Sequence, residues 1–453
     1  MNMKLSEIAE CVQGQLVGED DVITSVSIDT RTIKPGQLYI GIKGKNFDGN
    51  EFVREAEQAG ATAAIINNGF AAAIPYIRVE DTHLALAELA GSWRKKMPVS
   101  IVGITGSNGK TTVKEMVAAI LGINDTVLFT QGNLNNDIGV PLTLLRLNEQ
   151  HPYAVIEMGA NHPGEIQYTS SYAQADVVVI TNAGAAHIEG FGSIDGVARA
   201  KGEIIQTLKA QGIAILPRDD DFFDYWKSVA GSRKLMSFGL NDGADVTARS
   251  IKTEICNKQF VTTFELVTAQ GFLSVNLNLA GRHNVMNALA ATAACLALGI
   301  ELEQIKQGLE TVVPVTGRLQ PLLSRFGNIV IDDTYNANSA SLKAGLDVLA
   351  DCEGEPWLVL GAFGELGPES LKIHEEIGEL IKSRGIVRLL AIGPDARNTV
   401  KCFGQGGTFF ETQQNLIEVL NQELTGKETI LIKGSRVQRM ENIAEALVEN
   451  YRI

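Results

Sequence analysis

Apolar runs and helical spacings alternate along the middle of the chain. Between residues 98 and 313, five apolar runs typical of buried strands are separated by stretches with helical spacing: SIVGIT, TVLFT, YAVIEMG, DVVVITN and IAILP. This alternation predicts a parallel sheet with helices on its faces. The segment QFVTTFELVTAQGFLSVNLNL predicts an antiparallel hairpin added to that sheet.

The two ends of the chain have patterns of their own. Residues 1–97 mix short strands with helices such as THLALAELAGSWRKK, and residues 314–453 alternate strands with helices again, as a second doubly wound sheet does. The segment VVPVTGRLQP, with Pro314 and Gly317 as breakers, predicts a linker. We therefore predict an α/β fold with three domains, at 1–97, 98–313 and 314–453.

Composition narrows the class of protein. Of the 453 residues, 45% are apolar, as in ordinary globular proteins, and the net charge of −14 argues against a nucleic-acid surface. The five scattered cysteines indicate reduced thiols rather than disulfides or a zinc site. The first residues, MNMKLSEIAE, contain no apolar core, so we expect no secretion signal, and no apolar stretch is long enough to span a membrane. We expect a cytoplasmic protein that does not insert into membranes.

The stretch TGSNGKTT joins the first central strand to a helix. It differs in spacing from the common phosphate-binding loop, which has four residues between its first glycine and Gly-Lys-Thr. Unpaired N–H groups at a helix N-terminus attract phosphate, and Gly106 and Gly109 permit close approach. Lys110 could reach the outer phosphates, and Thr111 or Thr112 could bind Mg²⁺. A chance Gly-rich turn is the alternative.

Three further strand ends carry polar side chains where such sheets bind ligands. GNLNNDIGVP, at 132–141, has several hydrogen-bonding side chains, although a plain Asn- and Asp-rich turn would explain it. Glu157 closes an apolar strand, where an acidic residue holds Mg²⁺ or is simply solvated. His187 follows another strand, as a ligand or as a structural histidine, and periodicity alone makes Lys201 a solvated charge.

The motifs together resemble those of the Mur ligases, in that family's order and approximate spacing. They are TGSNGKTT, GNLNNDIGVP, EMGANHPGEI, AAHIEGFGS, AKGEI, GRHNVMNALAA, DDTYNANSAS and KGSR. The G-x-x-G-K-T-T loop is the family's own version, and EMGANHPGEI with DDTYNAN is most similar to the MurF branch. Two positions depart from the family pattern, Ala362 where an acidic residue is common and Pro217 where Asn is usual.

The resemblance implies an ATP- and Mg²⁺-dependent ligase of peptidoglycan precursor synthesis. It would join D-Ala-D-Ala to the terminal carboxylate of UDP-N-acetylmuramoyl-tripeptide through an acyl phosphate, and we expect a monomer. The first domain would bind the UDP-sugar, the second ATP, and the third would be Rossmann-like. The alternatives are another Mur-type ligase, a folylpolyglutamate synthetase-like amide ligase, or a nucleotide-dependent regulatory module without ligase activity.

The resemblance also implies roles for particular residues. The catalytic residues it implies are Lys110, Glu157, His187, Lys201 and Arg318. It implies Mg²⁺ binding by Thr111, Glu157, His187 and Lys201, with a carbamate on Lys201. The ATP contacts it implies are Gly106, Ser107, Asn108, Gly109, Lys110, Thr111, Thr112, Asn284, Asn287, Arg318 and Asp333. The substrate contacts it implies are Ser27, Arg31, Lys45, Asp48, Gly49, Asn133, Asn135, Asn136, Asn161, His162, Asn336, Asn338, Lys433 and Arg436.

Overall fold

A computed structural model of the chain describes residues 1–44, 46–184, 188–256, 259–364, 366–449 and 451. Two predicted site residues, Lys45 and His187, lie outside the described residues. The predicted α/β fold is confirmed, with one large sheet in each of three successive parts of the chain. Among the described residues, none of the helices combines the length and the apolar character that crossing a bilayer requires.

The first part holds a five-stranded sheet in the order β2-β7-β6-β5-β4, in which only the β2–β7 pair is antiparallel. Its elements are β1 (Met3–Lys4), α1 (Leu5–Cys11), β2 (Gln15–Val17), β3 (Val22–Ile23), β4 (Ser25–Ser27), β5 (Gln37–Ile40), α2 (Val53–Gln58), β6 (Ala63–Asn67), β7 (Tyr76–Val79) and α3 (Thr82–Lys96). Asp81 caps α3 by accepting hydrogen bonds from the N–H groups of His83 and Leu84.

The central part holds a nine-stranded sheet in the order β16-β15-β14-β13-β12-β11-β8-β10-β9. Its first elements are β8 (Ser100–Thr105), α4 (Lys110–Leu121), β9 (Val127–Phe129), α5 (Gly139–Leu144), β10 (Tyr153–Glu157), α6 (Glu165–Ala173), β11 (Val177–Ile180), α7 (Ile188–Phe191) and α8 (Ile194–Gln206). The remaining ones are β12 (Ile213–Pro217), α9 (Phe223–Ala230), β13 (Lys234–Phe238), β14 (Val246–Cys256), β15 (Gln259–Thr268), β16 (Gly271–Leu277), α10 (Arg282–Ala297) and α11 (Leu302–Thr311).

The antiparallel addition to this sheet is larger than predicted. The predicted hairpin is present as β15 and β16, with Thr268 opposite Gly271 at its turn. The long strand β14 also pairs with β15 in antiparallel register and joins the parallel strand β13 through Val246. The predicted hairpin is therefore confirmed, and β14 extends it to three antiparallel strands. Polar side chains occupy much of β14, which hides the alternation that marks a strand.

The third part holds a six-stranded sheet in the order β17-β18-β22-β19-β20-β21, parallel except for β17. Its elements are β17 (Gln320–Leu323), β18 (Ile329–Asp333), α12 (Ser339–Ala350), β19 (Glu355–Gly361), α13 (Ser370–Ser383), β20 (Arg388–Ile392), α14 (Ala396–Phe403), β21 (Gly407–Phe410), α15 (Gln413–Glu423), β22 (Glu428–Lys433) and α16 (Glu441–Leu447). Short 3₁₀ turns lie at Gly49–Phe52, Gly367–Glu369 and Arg436–Gln438.

Helix α4 lies in the core of the central part, and this places the Gly-rich loop before it. Val113, Met116 and Val117 of α4 are fully buried, in the same cluster as residues of α10 and α11. The parallel strands β8, β10 and β11 end side by side at one edge of the sheet. The turns after these strands therefore meet at that edge, where open α/β sheets bind ligands.

The close approach of α11 to α4 gives a prediction about stability. A Cβ on Gly308 of α11 would lie 2.3 Å from Ile120 Cα, so Gly308→Ala must push the two helices apart. We expect a loss of about 1–3 kcal/mol, although Ala normally stabilises a helix interior by about 1 kcal/mol relative to Gly. Calorimetry would show a lower unfolding temperature. An unchanged or higher temperature would contradict the close packing.

Candidate active site

The loop between β8 and α4 requires glycine at two positions. Gly106 has φ +148°, and a Cβ there would lie 1.9 Å from the Thr181 hydroxyl oxygen. Gly109 has φ +81°, and a Cβ there would lie 2.3 Å from Asn287 Oδ1. Both are conformations that other residues rarely adopt. The loop is thus pressed between the ends of β11 and α10 and lies directly before the N-terminus of α4.

Two residues that sequence reasoning missed hold this loop in place. The main-chain oxygen of Asn108 accepts hydrogen bonds from Thr181 Oγ1 at 2.5 Å and from Asn182 Nδ2 at 3.1 Å. The N–H of Asn108 donates to Asn182 Oδ1 at 3.0 Å, and that of Ser107 to the Asn182 oxygen at 3.0 Å. Thr181 and Asn182 begin the motif TNAGAAHIEGFGS. Their position directly after β11 could have identified them as residues that hold the loop.

Lys110 begins α4 and folds back over the loop. Its Nζ donates to the main-chain oxygens of Gly106 at 2.6 Å and Ser107 at 3.3 Å. Burial lowers the pKa of the Lys110 ammonium, while the nearby Glu157 carboxylate opposes that shift. The ammonium therefore lies above the loop and close to an acidic side chain.

Glu157 ends β10 with a carboxylate that is 2% exposed. Its Oε1 accepts a hydrogen bond from Asn135 Nδ2 at 2.8 Å. Its Oε2 is buried and has no hydrogen-bond partner within the part of the chain that the structure describes. A buried carboxylate oxygen without a partner is costly, and a cation would remove that cost. The free carboxylate oxygen of Glu157 therefore fits a bound Mg²⁺, a cation that prefers oxygen ligands.

Lys201 lies in α8 and is 2% exposed. Its Nζ is 5.4 Å from the centre of the Phe191 ring. Burial lowers its pKa to about 7, and the Lys110 charge adds to the effect. Across the described ranges, no group of three or more His, Cys, Asp or Glu side chains is arranged to hold a metal.

The third part of the chain contacts the loop directly. Arg318 Nη2 donates to Thr111 Oγ1 at 3.1 Å. Asn338 Nδ2 donates to Asn108 Oδ1 at 2.8 Å, while Asn338 Oδ1 caps α12 by accepting from the Ser341 N–H. These contacts close the cleft between the second and third parts of the chain.

Two charged residues of the third part form a buried ion pair beside this cleft. Lys433 Nζ donates to Asp333 Oδ2 at 2.6 Å and to the Asn336 oxygen at 3.0 Å. The Lys433 ammonium is thus already bound within the third part. Tyr335, which sequence reasoning did not select, packs its ring 4.4 Å from the Arg318 guanidinium carbon and 6.0 Å from that of Arg436.

Two cavities meet at the loop. The first, of about 590 Å³, brings together most of the predicted site residues: Ser107, Asn108, Gly109, Lys110, Thr111, Asn133, Asn135, Asn136, Glu157, Asn161, Arg318, Asp333, Asn336, Asn338 and Lys433. The second, of about 310 Å³, is lined by the predicted residues Asn108, Gly109, Thr112, Asn284, Asn287, Arg318 and Asp333. The first contains the polar groups suited to phosphates, and the second includes Leu279, Val312 and Val315, which suit a flat base.

The side-chain amides of Asn284 and Asn287 in α10 form hydrogen bonds within the protein. Asn284 Nδ2 donates to the Ala280 oxygen at 2.8 Å, and Asn287 Nδ2 donates to Asn284 Oδ1 at 3.0 Å. His283 lines the same cavity, and burial lowers its pKa to about 4, so its ring is neutral at physiological pH.

Several predicted residues line neither cavity: Gly106, Ser27, Arg31, Asp48, Gly49, His162, Lys201 and Arg436. Arg31 forms an ion pair with Asp29, and Asp48 caps the 3₁₀ turn that begins at Gly49. Ile28, between Ser27 and Asp29, does line the first cavity, so this loop of the first part borders the site.

Three family models match successive segments that together cover most of the chain. The models described as "Mur ligase family, catalytic domain", "Mur ligase middle domain" and "Mur ligase, glutamate ligase domain" match residues 22–94, 104–295 and 317–436. The chain is 42% identical to the UDP-N-acetylmuramoyl-tripeptide–D-alanyl-D-alanine ligase of Escherichia coli K12 over 453 residues, 99% of each protein. This chain belongs to the MurF branch of the Mur ligase family.

Solved structures of MurF proteins agree with this membership. MurF from Acinetobacter baumannii has a TM-score of 0.92 at 37% identity, covering 98% of both chains. MurF from Thermotoga maritima, solved in complex with ADP, has a TM-score of 0.84 at 28% identity, covering 93% of this chain and 96% of that one. The family resemblance expected from the motifs is therefore confirmed.

The contact between Gly109 and Asn287 gives a prediction about nucleotide binding. In Gly109→Ala the new methyl group would overlap Asn287 Oδ1 and displace the loop. We expect the KM for ATP to rise at least about tenfold, since small displacements at a phosphate site cost that much or more. Gly385→Ala is the matched control, because Gly385 has φ +75° but nothing within 4 Å of its added Cβ. Equal ATP kinetics in both variants would contradict the close approach.

Proposed function

We propose that this protein joins D-Ala-D-Ala to the terminal carboxylate of UDP-N-acetylmuramoyl-tripeptide, with hydrolysis of ATP, in peptidoglycan precursor synthesis. The observation that carries the proposal is that the Gly-rich loop, Lys110 and Glu157 line one cavity together with residues from all three parts of the chain. The choice of substrates is supported by the UDP-N-acetylmuramoyl-tripeptide–D-alanyl-D-alanine ligase of Escherichia coli K12, to which this chain is 42% identical over 99% of both proteins.

The chemistry explains the types of residue at the site. A substrate carboxylate oxygen bonds to the γ-phosphorus of ATP as the bond to ADP breaks, which gives an acyl phosphate. The neutral amine of D-Ala-D-Ala then attacks the carbonyl carbon, loses a proton, and phosphate leaves as the C–O bond breaks. Negative charge develops on oxygen in both steps, so fixed cations and N–H donors stabilise the transition states.

The loop and its neighbours would bind ATP. The phosphates would lie against the N–H groups at the start of α4, with Lys110 and Arg318 neutralising the transferred phosphoryl group. The base would occupy the second cavity near Asn284 and Asn287, and Asp333 would accept hydrogen bonds from the ribose.

Thr111 and Glu157 would hold Mg²⁺, and Lys201 and His187 would complete a second position. The metal, when bound, neutralises phosphate oxygens and lowers the cost of charge build-up. Support comes from the buried Oε2 of Glu157, which has no partner in the described part of the chain. The Thr111 hydroxyl accepts a hydrogen bond from Arg318, and Thr111 lines the first cavity together with Glu157.

Lys201 would carry a carbamate, formed when its neutral amine bonds to CO₂ and releases a proton. Its support is the burial of Lys201, which is 2% exposed and whose pKa is lowered to about 7, mainly by that burial. We expect one carbamate carbon resonance in ¹³C NMR of the protein in ¹³C-labelled bicarbonate, absent in Lys201→Gln. A spectrum identical for both proteins would exclude the modification.

The three parts would divide the work. We assign UDP-sugar binding to residues 1–97, with Ser27, Arg31, Lys45, Asp48 and Gly49, ATP chemistry to 98–313, and closure over the nucleotide to 314–453. The peptide end of the substrate would lie along two groups of side chains that line the first cavity: Asn133, Asn135, Asn136 and Asn161, and Asn336, Asn338 and Lys433. His162 and Arg436, which line neither cavity, would contact the substrate outside it.

The setting follows from the reaction. We propose that the protein works in the cytoplasm, because both ATP and nucleotide-linked precursors are made there, and that it acts as a monomer. The net charge of −14 supports the absence of a nucleic-acid partner.

The first experiment measures phosphate release from Mg²⁺-ATP and UDP-N-acetylmuramoyl-tripeptide, with and without D-Ala-D-Ala, with mass spectrometry of the product. We expect release to require the dipeptide and the adduct to appear. Lys110→Met should lower turnover by at least about 100-fold, as loss of one fixed transition-state donor does, with an unchanged unfolding temperature.

Other outcomes discriminate between the alternatives. Release without the dipeptide and without adduct would indicate a nucleotide-dependent regulatory module. Release that depends on a different amine or a different carboxylate would indicate another amide ligase of the superfamily. Normal turnover in Lys110→Met would contradict the role of the loop.

A further inference from the structure

The hydrogen-bond ladder between β9 and β10 changes where β10 ends. The strands are parallel, with Val155 opposite Phe129, and the N–H of Thr130 donates to the Val155 oxygen at 3.1 Å. In a regular parallel ladder, the N–H of Glu157 would next donate to the main-chain oxygen of Thr130. It donates instead to the Thr130 hydroxyl oxygen, at 3.0 Å. The side chain of Thr130 thus replaces its main chain as the acceptor for the N–H of Glu157, whose carboxylate faces the cavity.

The main-chain oxygen of Thr130 accepts a hydrogen bond from a buried cation instead. Lys114 of α4 is 1% exposed, and its Nζ donates to the Thr130 oxygen at 2.8 Å. The same ammonium pairs with Glu115 at 2.8 Å and lies 5.6 Å from the centre of the Phe129 ring. The proposed reaction does not use the Lys114 ammonium. The Thr130 carbonyl oxygen is thus bonded to α4, and the Thr130 hydroxyl is the acceptor for the N–H of Glu157.

Glu157 is therefore held at two points, and only one carboxylate oxygen is left over. Its N–H is bound by Thr130, its Oε1 accepts from Asn135, and its Oε2 has no partner among the residues the structure describes. We propose that Thr130 is a positioning residue for Glu157: its hydroxyl, set by the bond from Lys114, aims the free carboxylate oxygen at the metal. This inference rests on the proposed metal role of Glu157.

The test measures metal binding directly, apart from turnover. Binding of Mn²⁺ to the full-length protein with a non-hydrolysable ATP analogue would be followed by electron paramagnetic resonance. We expect Thr130→Val and Lys114→Met to weaken Mn²⁺ binding by about 10-fold or more, as loss of groups that orient metal ligands does. Thr130→Ser keeps the hydroxyl and should bind within about twofold of the parent.

Thr262→Val is the matched control. Thr262 is fully buried in β15, and its hydroxyl donates to the Leu279 oxygen at 2.7 Å, so this variant also loses a buried hydroxyl but leaves Glu157 untouched. Its Mn²⁺ binding should equal that of the parent. The affinity of every variant for the analogue without metal should also be unchanged.

The outcomes separate this inference from the proposal beneath it. If Glu157→Gln binds Mn²⁺ as the parent does, the metal role of Glu157 is wrong. If Glu157→Gln loses binding but folded Thr130→Val keeps it, the positioning role is wrong and the metal role stands. If Thr130→Val does not fold, Lys114→Met decides, and parental binding in that variant overturns the proposal.

Discussion

The geometry of the site depends on the fixed position of the first turn of α4 at the carboxyl edge of the central sheet. Hydrogen bonds from Thr181 and Asn182 to Asn108 hold the preceding loop, and Gly106 and Gly109 leave no room for a side chain. The loop therefore presents its N–H groups and the positive end of the helix dipole in one direction. Without this packing, Lys110 and Glu157 would not line the same cavity.

The third part of the chain completes the site by reaching across a cleft. Arg318 contacts Thr111 and Asn338 contacts Asn108, although more than 200 residues separate each pair along the sequence. The buried ion pair between Asp333 and Lys433 lies beside this cleft. A site assembled from separate domains can open to admit substrates and close to exclude water, which suits an unstable acyl phosphate.

Sequence patterns were sufficient for the elements that carry the chemistry. The β-branched run of β8 and the helical spacing of α4 predicted the strand, the loop and the helix, because burial on both faces leaves an unbroken apolar pattern. Strand β14 escaped prediction because half of it faces solvent and polar residues mask its alternation. Thr181 and Asn182 escaped because their partner lies over 70 residues away and meets them only through the pairing of β8 with β11.

The amino-acid sequence by itself determined the α/β class, the order of the motifs, the Gly-rich loop before α4 and the family, since these depend on local spacing and residue type. Only the tertiary structure decided which polar groups remain available. Lys433 is bound by Asp333, Asn284 by its helix neighbours, and Oε2 of Glu157 by nothing within the described chain. Hydrogen-bond capacity is consumed by contacts between distant residues, so a pattern along the chain cannot reveal which groups are left for a ligand.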